Sequence, residues 1–133
     1  MTTVTQPDLQ TLIPLAGLLG IEVEEAEKDE VVARLAWRPD LCTTAGVMHG
    51  GALMAFADTL GAVCASLNLP EGAITTTIES KTNFFRAVTD GVVTGASTPL
   101  HVGRRTIVVQ TKLAREDGKA IALVTQTQAV IHR

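Results

Sequence analysis

Tyrosine is absent from the 133 residues, and only one Trp and three Phe are present, which leaves too few aromatic faces for a base-stacking platform. Positive charge is also scarce: eleven Lys plus Arg stand against fourteen Asp plus Glu, a formal net charge of -3. A general grip on a phosphate backbone needs the opposite balance, so no nucleic-acid partner is expected. The two cysteines, Cys42 and Cys64, permit one internal disulfide at most, and their spacing matches neither a redox pair nor a zinc pair. Both are expected to be reduced. The run Met1–Asp8 has no basic patch ahead of an apolar stretch, so no secretory signal is expected and a cytoplasmic location follows by default. Charged residues make up only 19% against 46% hydrophobic, a balance that excludes disorder and predicts a real core. The length suits a single domain spanning 1–133, without separate cofactor and substrate domains.

What is present divides by period. Apolar positions at Leu9, Leu12, Ile13, Leu15, Ala16 and Leu19 fit a helix over Asp8–Leu19, with Pro14 inside it. Ile21–Glu24 and Val31–Trp37 alternate around the charged run Glu27–Glu30 and predict a strand pair. Arg38–Met48 has no sustained period and is expected to be a loop. Gly50 to about Leu67 lacks Pro, exceeds strand length and is apolar nearly all round, which predicts one long helix wrapped by other elements. Four strands are expected after it: Ala73–Phe85, Val92–Leu100, Thr106–Ala114 and Ala120–Ile131, the last two joined by the Asp117-Gly118 hairpin signal. In the first of these, simple alternation puts Thr75, Thr77, Glu79, Lys81 and Asn83 on one face and Ile74, Thr76, Ile78, Ser80 and Thr82 on the other. No repeated βα pattern is present, so the fold class is α+β: an antiparallel sheet packed around one central helix.

The stretch Gly50–Leu69 is marginal for a membrane span. It opens with two glycines, contains Asp58, and sits among strand-like segments, so a buried core helix is expected and no membrane partner.

The unusual feature is Met48-His49-Gly50-Gly51 at the start of that helix, followed by its one charge, Asp58. First-turn N–H groups have no intrahelical acceptor and carry the positive end of the helix dipole, and glycines there let another group approach the backbone. This suits an oxyanion. The competing reading is a tight turn and close helix packing, with His49 as a cap. Asp58 weighs against that reading, because a carboxylate among Ala, Phe, Met and Leu is costly to bury unless paired or functional. Nine helical residues from His49 to Asp58 correspond to about 13.5 Å of rise and roughly 900° of rotation, half a turn out of phase. If both groups serve one reaction centre, they come from two chains whose helices pack antiparallel across a two-fold axis.

The run Gly46-Val47-Met48-His49-Gly50-Gly51-Ala52-Leu53-Met54-Ala55-Phe56-Ala57-Asp58-Thr59 resembles the hotdog-fold acyl-CoA thioesterases of the phenylacetate-degradation (PaaI-like) group. The resemblance continues through Thr77-Ile78-Glu79-Ser80-Lys81-Thr82-Asn83-Phe84, Gly103-Arg104-Arg105 and Asp117-Gly118-Lys119, and covers roughly Trp37–Val130. It implies a curved sheet around a central helix, a homodimer through those helices, often a homotetramer, and an acyl-CoA substrate with no metal or organic cofactor. Carried over, the Gly50 N–H polarises the thioester carbonyl with help from His49, the partner's Asp58 acts as nucleophile or general base, and Thr77 orients the water or the carboxylate. Thr43, Gly51, Lys81, Asn83, Arg104 and Arg105 are the implied substrate-binding positions, with Lys81, Arg104 and Arg105 set toward the coenzyme A phosphates or serving as ordinary surface charges. Many members carry Asn or Gln six residues before the His. Here Thr43 stands in its place, with one donor rather than an amide's two.

Two other functions compete. A non-catalytic acyl-CoA binding or sensing module on the same fold predicts binding without hydrolysis, and Thr43 is the feature that keeps this reading open. A hydratase would need an Asp/His or Glu/His pair in a different motif context, which this sequence lacks. His49, His101 and His132 do not form metal-ligand spacing. Cys64, inside the apolar helix, reads as core filling, and Cys42 stays open.

Overall fold

A computed structural model describes residues 6–133, so the expectation for the N-terminal signal lies largely outside the described residues. Two short helices, α1 (Gln6–Leu12) and α2 (Pro14–Leu19), lead into β1 (Glu22–Ala26) and β2 (Val31–Ala36); then come the long helix α3 (Gly50–Leu67) and β3 (Ile74–Phe84), β4 (Val92–Val102), β5 (Thr106–Ala114) and β6 (Ala120–Ile131). The single N-terminal helix expected over Asp8–Leu19 is therefore two. Pro14 has no N–H to continue a helix and pushes the residue before it out of the helical region; Ile13 is extended (φ -120, ψ 94) and Pro14 starts the second helix.

The six strands form one antiparallel sheet in the order β1-β2-β4-β5-β6-β3. One face packs on α3 because alternate residues of the inner strands are apolar. Val31, Ala33 and Leu35 of β2, Val93 of β4, Ile107, Val109 and Leu113 of β5 and Val124 of β6 are all buried with Leu53, Phe56, Leu60 and Cys64 of the helix. Removing a side chain such as Phe56 or Leu60 from water stabilises the fold by about 1.5–3 kcal/mol. This is the α+β, helix-in-sheet architecture of a hotdog fold.

Two features differ from the sequence expectation. The helix is wrapped on one side only: half of its residues are buried, while Gly51, Met54, Asp58 and Ser66 are exposed. Residues recurring at three to four positions line one face of a helix, so Gly51, Met54 and Asp58 form an open stripe. In addition, β3 contains a bulge. Thr77 pairs with Gln128 and Glu79 with Thr127, leaving Ile78 as an extra residue. One inserted residue shifts every later side chain to the opposite face. Ser80 and Thr82, expected opposite Thr77, thus join it on the helix side, where their hydroxyls are buried. Lys81 and Asn83 turn outward and are exposed.

Candidate active site

His49 is the N-cap of α3, with extended backbone (φ -63, ψ 133). Its Nδ1 accepts the Gly51 N–H at 2.7 Å, so a neutral ring carries its proton on Nε2. The cap thereby consumes one orphan donor and leaves another. The Gly50 N–H, at the first helical position, donates to no atom of the described residues. The loop before it is held by local bonds, His49 N–H to Leu41 O at 2.8 Å and Trp37 Nε1–H to Gly46 O at 3.0 Å, and by a distant one, Met48 N–H to Val88 O at 2.8 Å.

Gly50 lines an open, mainly apolar cavity of about 340 Å³ with Thr43, Met48, Leu53, Phe84, Phe85 and Val88. The fit there is close, since a Cβ on Gly50 would lie 3.1 Å from Cζ of the half-exposed Phe84 ring. Thr43, at the position where the resemblance leads one to expect an amide, lines this same cavity.

Asp58 lies in a different depression of about 200 Å³, lined also by Met54, Ala55, Thr77 and Ser80. It is exposed on the protomer, so the burial cost that marked it out in the sequence is not incurred within one chain. Its Oδ1 accepts two bonds, from Thr77 Oγ1–H at 3.1 Å and Gln126 Nε2–H at 2.9 Å. Behind Thr77, Gln128 Nε2–H donates to Thr77 Oγ1 at 2.7 Å, and the Thr75 hydroxyl, whose proton lies between Ala129 O at 2.7 Å and Gln128 Oε1 at 3.1 Å, sits beside the other end of that amide. Oδ2 accepts no hydrogen bond among the described residues. An acceptor with one oxygen fixed and the other free is suited to taking a proton from water or attacking a carbonyl.

The structure therefore brings Asp58 to Thr77, and Gly50 to His49, Gly51 and Thr43, but leaves the two groups apart. Eight helical residues separate Gly50 from Asp58, about 12 Å of rise, too far to serve one carbonyl within a chain. Of the remaining sequence candidates, Arg104 and Arg105 are adjacent and exposed in the β4–β5 turn, whose backbone is tied to the end of β6 through Arg105 O and Val130 N–H at 2.8 Å. Lys81 and Asn83 lie further along β3, opposite Thr125 and Leu123. They are distant from that arginine pair: five positions along β6, from Val130 to Thr125, correspond to about 17 Å of strand. Sequence reasoning passed over Gln126, Gln128, Ser80 and Phe84. The glutamines did leave a signal, since they interrupt the apolar inward row Val124, Gln126, Gln128, Val130.

The cysteines take no part. Burial pushes the Cys64 thiol up to about 11, with a smaller contribution from the negative charge of Asp29, so it stays protonated and inert. Cys42 is half-buried and its thiol donates to Arg38 O at 3.3 Å.

Comparison with known proteins places these features in a family. The thioesterase superfamily model matches residues 45–122, which include both His49-Gly50-Gly51 and Asp58. A Vibrio cholerae protein carrying an esterase name is 38% identical over 85 residues, covering 64% of this chain and 57% of that protein. The proofreading thioesterase EntH of Cronobacter turicensis is 30% identical over 113 residues, covering 85% of this chain and 82% of that one. Among solved structures, a thioesterase from Haemophilus influenzae superposes with a TM-score of 0.90 at 31% identity, covering 98% of this chain and 93% of the other.

Proposed function

This chain belongs to the thioesterase superfamily, and from that premise we propose that it hydrolyses an acyl-coenzyme A thioester, in the manner of the PaaI-like group, at a site shared by two copies of the chain. The observation that carries the proposal is the separation of the two half-sites: a free oxyanion donor at Gly50 and a free carboxylate oxygen at Asp58, each complete on its own side and about 12 Å apart along one helix.

A two-fold axis that brings Gly50 of one copy to Asp58 of the other passes midway between them, at Met54. Met54 is the exposed residue at the centre of the open helix stripe. β3 supplies a second surface for the same partner. It is an edge strand of 11 residues, paired on one side to β6 and exposing Ile74, Ile78 and Phe84. A long edge strand leaves unpaired backbone groups and is an association hazard unless another strand or chain covers it.

In the assembled site the substrate carbonyl oxygen receives the Gly50 N–H at the positive end of the helix dipole, where charge develops in the transition state. The acyl group occupies the apolar cavity beside Phe84. Water bonded to Asp58 Oδ2 loses its proton to that oxygen as its own oxygen bonds to the carbonyl carbon. The tetrahedral intermediate then collapses, the C–S bond breaks, and the sulfur departs with the proton returned by Asp58. Thr77 holds Oδ1 throughout. Arg104 and Arg105 are the cations assigned to the coenzyme phosphates. The location assigned is the cytoplasm.

The test is subunit complementation. Asp58→Asn and Gly50→Pro are each expected to be inactive, but a heterodimer carries one site with both native halves. Random mixing should restore about one quarter of wild-type activity, because half the dimers are mixed and half their sites are native. No recovery in mixtures shown to exchange subunits would rule out the shared site. Saturable binding of acyl-CoA without hydrolysis by wild type would establish the non-catalytic reading instead.

A further inference from the structure

We propose that Gln126 is a positioning residue that fixes the working orientation of Asp58, and that Gly61 is glycine because it must admit the Gln126 amide. The inference rests on the assignment of Asp58 as the catalytic carboxylate.

Gln126 and Gln128 occupy consecutive inward positions of β6 at 1% and 0% exposure, in a row otherwise filled by Val124 and Val130. Buried amides are expensive where aliphatic side chains would pack, unless their polar atoms are bonded. Here their donors run in one direction, toward Asp58. Gln128 Nε2–H donates to Thr77 Oγ1, which commits the single Thr77 hydroxyl proton to Asp58 Oδ1, and Gln126 Nε2–H reaches the same oxygen directly. An ionised carboxylate accepts and does not donate, so the Gln126 amide must present its nitrogen to Asp58.

The opposite end of that amide explains Gly61. Gln126 Oε1 is buried without a hydrogen-bond partner, and a Cβ on Gly61 would overlap Gln126 Oε1 and Cδ. Gly61 lies three residues after Asp58, inside α3 and buried. Glycine is a poor helix former, and an orphan buried oxygen is unfavourable. Two unfavourable choices meet at the one contact that lets an amide from the sheet reach the helix beside Asp58, and such local conflicts are expected where function requires them.

The consequence is mechanical. With Oδ1 held by two donors, an otherwise exposed Asp58 presents Oδ2 alone to water and to the partner's carbonyl site, which is the orientation the reaction needs. Neither glutamine titrates, so this chain of bonds moves no proton. It supplies orientation only.

The experiment uses the full chain and a panel of acetyl-, hexanoyl-, palmitoyl-, phenylacetyl- and hydroxybenzoyl-CoA, comparing Gln126→Met, Gly61→Ala, their double variant and Asp58→Asn. Each single variant is expected to lose about tenfold or more in kcat with KM changed by less than about twofold, the pattern for an interaction that matters in the transition state. The double variant should lose no more than the more impaired of the two singles, since both remove the same contact. A residue that merely packs would change thermal stability and leave this kcat-against-KM split and the non-additivity unseen. Should Gln126→Met fail to fold, Gly61→Ala decides alone, because alanine favours the helix. Wild-type kcat in the single variants beside an inactive Asp58→Asn overturns this assignment while sparing the proposed function. Full activity in Asp58→Asn, or no turnover of any ester by wild type, overturns both.

Discussion

Replacing Asp58 by Asn removes one atom's chemistry while keeping the geometry around it. Asn Oδ1 still accepts from Thr77 Oγ1 and Gln126 Nε2, the two donors that hold the carboxylate, and the amide nitrogen takes the place of the free Oδ2. Loss of a positioned general base costs about 10²–10⁴ in rate, equivalent to about 3–5 kcal/mol of barrier. The stability effect is smaller. Two hydrogen bonds pass from the charge-assisted to the neutral class, a change of about 1 kcal/mol each, and exposure of Asp58 lowers it further. For a chain of this length about 2 kcal/mol corresponds to a Tm decrease of about 7 °C at most. The assay pairs thiol release from the best acyl-CoA ester with calorimetry and sedimentation on the same preparations. A folded dimer with kcat reduced a hundredfold or more is expected. Turnover within tenfold of wild type, or unfolding and dissociation that account for the loss, would refute the reasoning that Asp58 acts through Oδ2.

Two further outcomes follow from local geometry. Gly50→Pro deletes the free N–H at a helix position that accepts proline, and His49 already has the extended backbone that a following proline needs; kcat should fall about 10²–10³-fold, the usual effect of losing an oxyanion donor. Gly50→Ala keeps the N–H and asks only that the half-exposed Phe84 ring yield from 3.1 Å, so it should retain far more turnover under the same assay, and equal losses in the two variants would exclude the donor role. For Cys64, the folded thiol titrates near 11 against an ordinary value of 9.0. The neutral form is favoured in the fold, so its contribution is complete below about pH 9 and declines as pH rises toward 11, by about 3 kcal/mol at most. Denaturant titrations between pH 8 and 11 should show this decline in wild type and not in Cys64→Ala, and mass spectrometry should find Cys64 unalkylated by iodoacetamide at pH 8.

The sequence by itself determined the element order, the α+β class and the two halves of the candidate site, because all three are written in local periods. Ala, Leu and Met without proline over Gly50–Leu67 specify a helix, His49-Gly50-Gly51 marks its start, and the spacing to Asp58 sets the two groups about two turns apart along it before any coordinate is known. Local period also failed in identifiable places. Pro14 split a helix that the apolar spacing would have continued. Ile78 adds one residue to β3, and no alternation rule registers an insertion whose cause is pairing with β6, a strand some fifty residues away. Only the tertiary structure decided which atoms surround Asp58. Gln126 approaches it across 68 residues of sequence and Thr77 across 19. Gly61 reads as a weak helix residue until the amide packed against it is seen. Contacts of that range arise from how the sheet curves onto the helix, and a strand's sequence records which residues face inward without recording which partner they will meet.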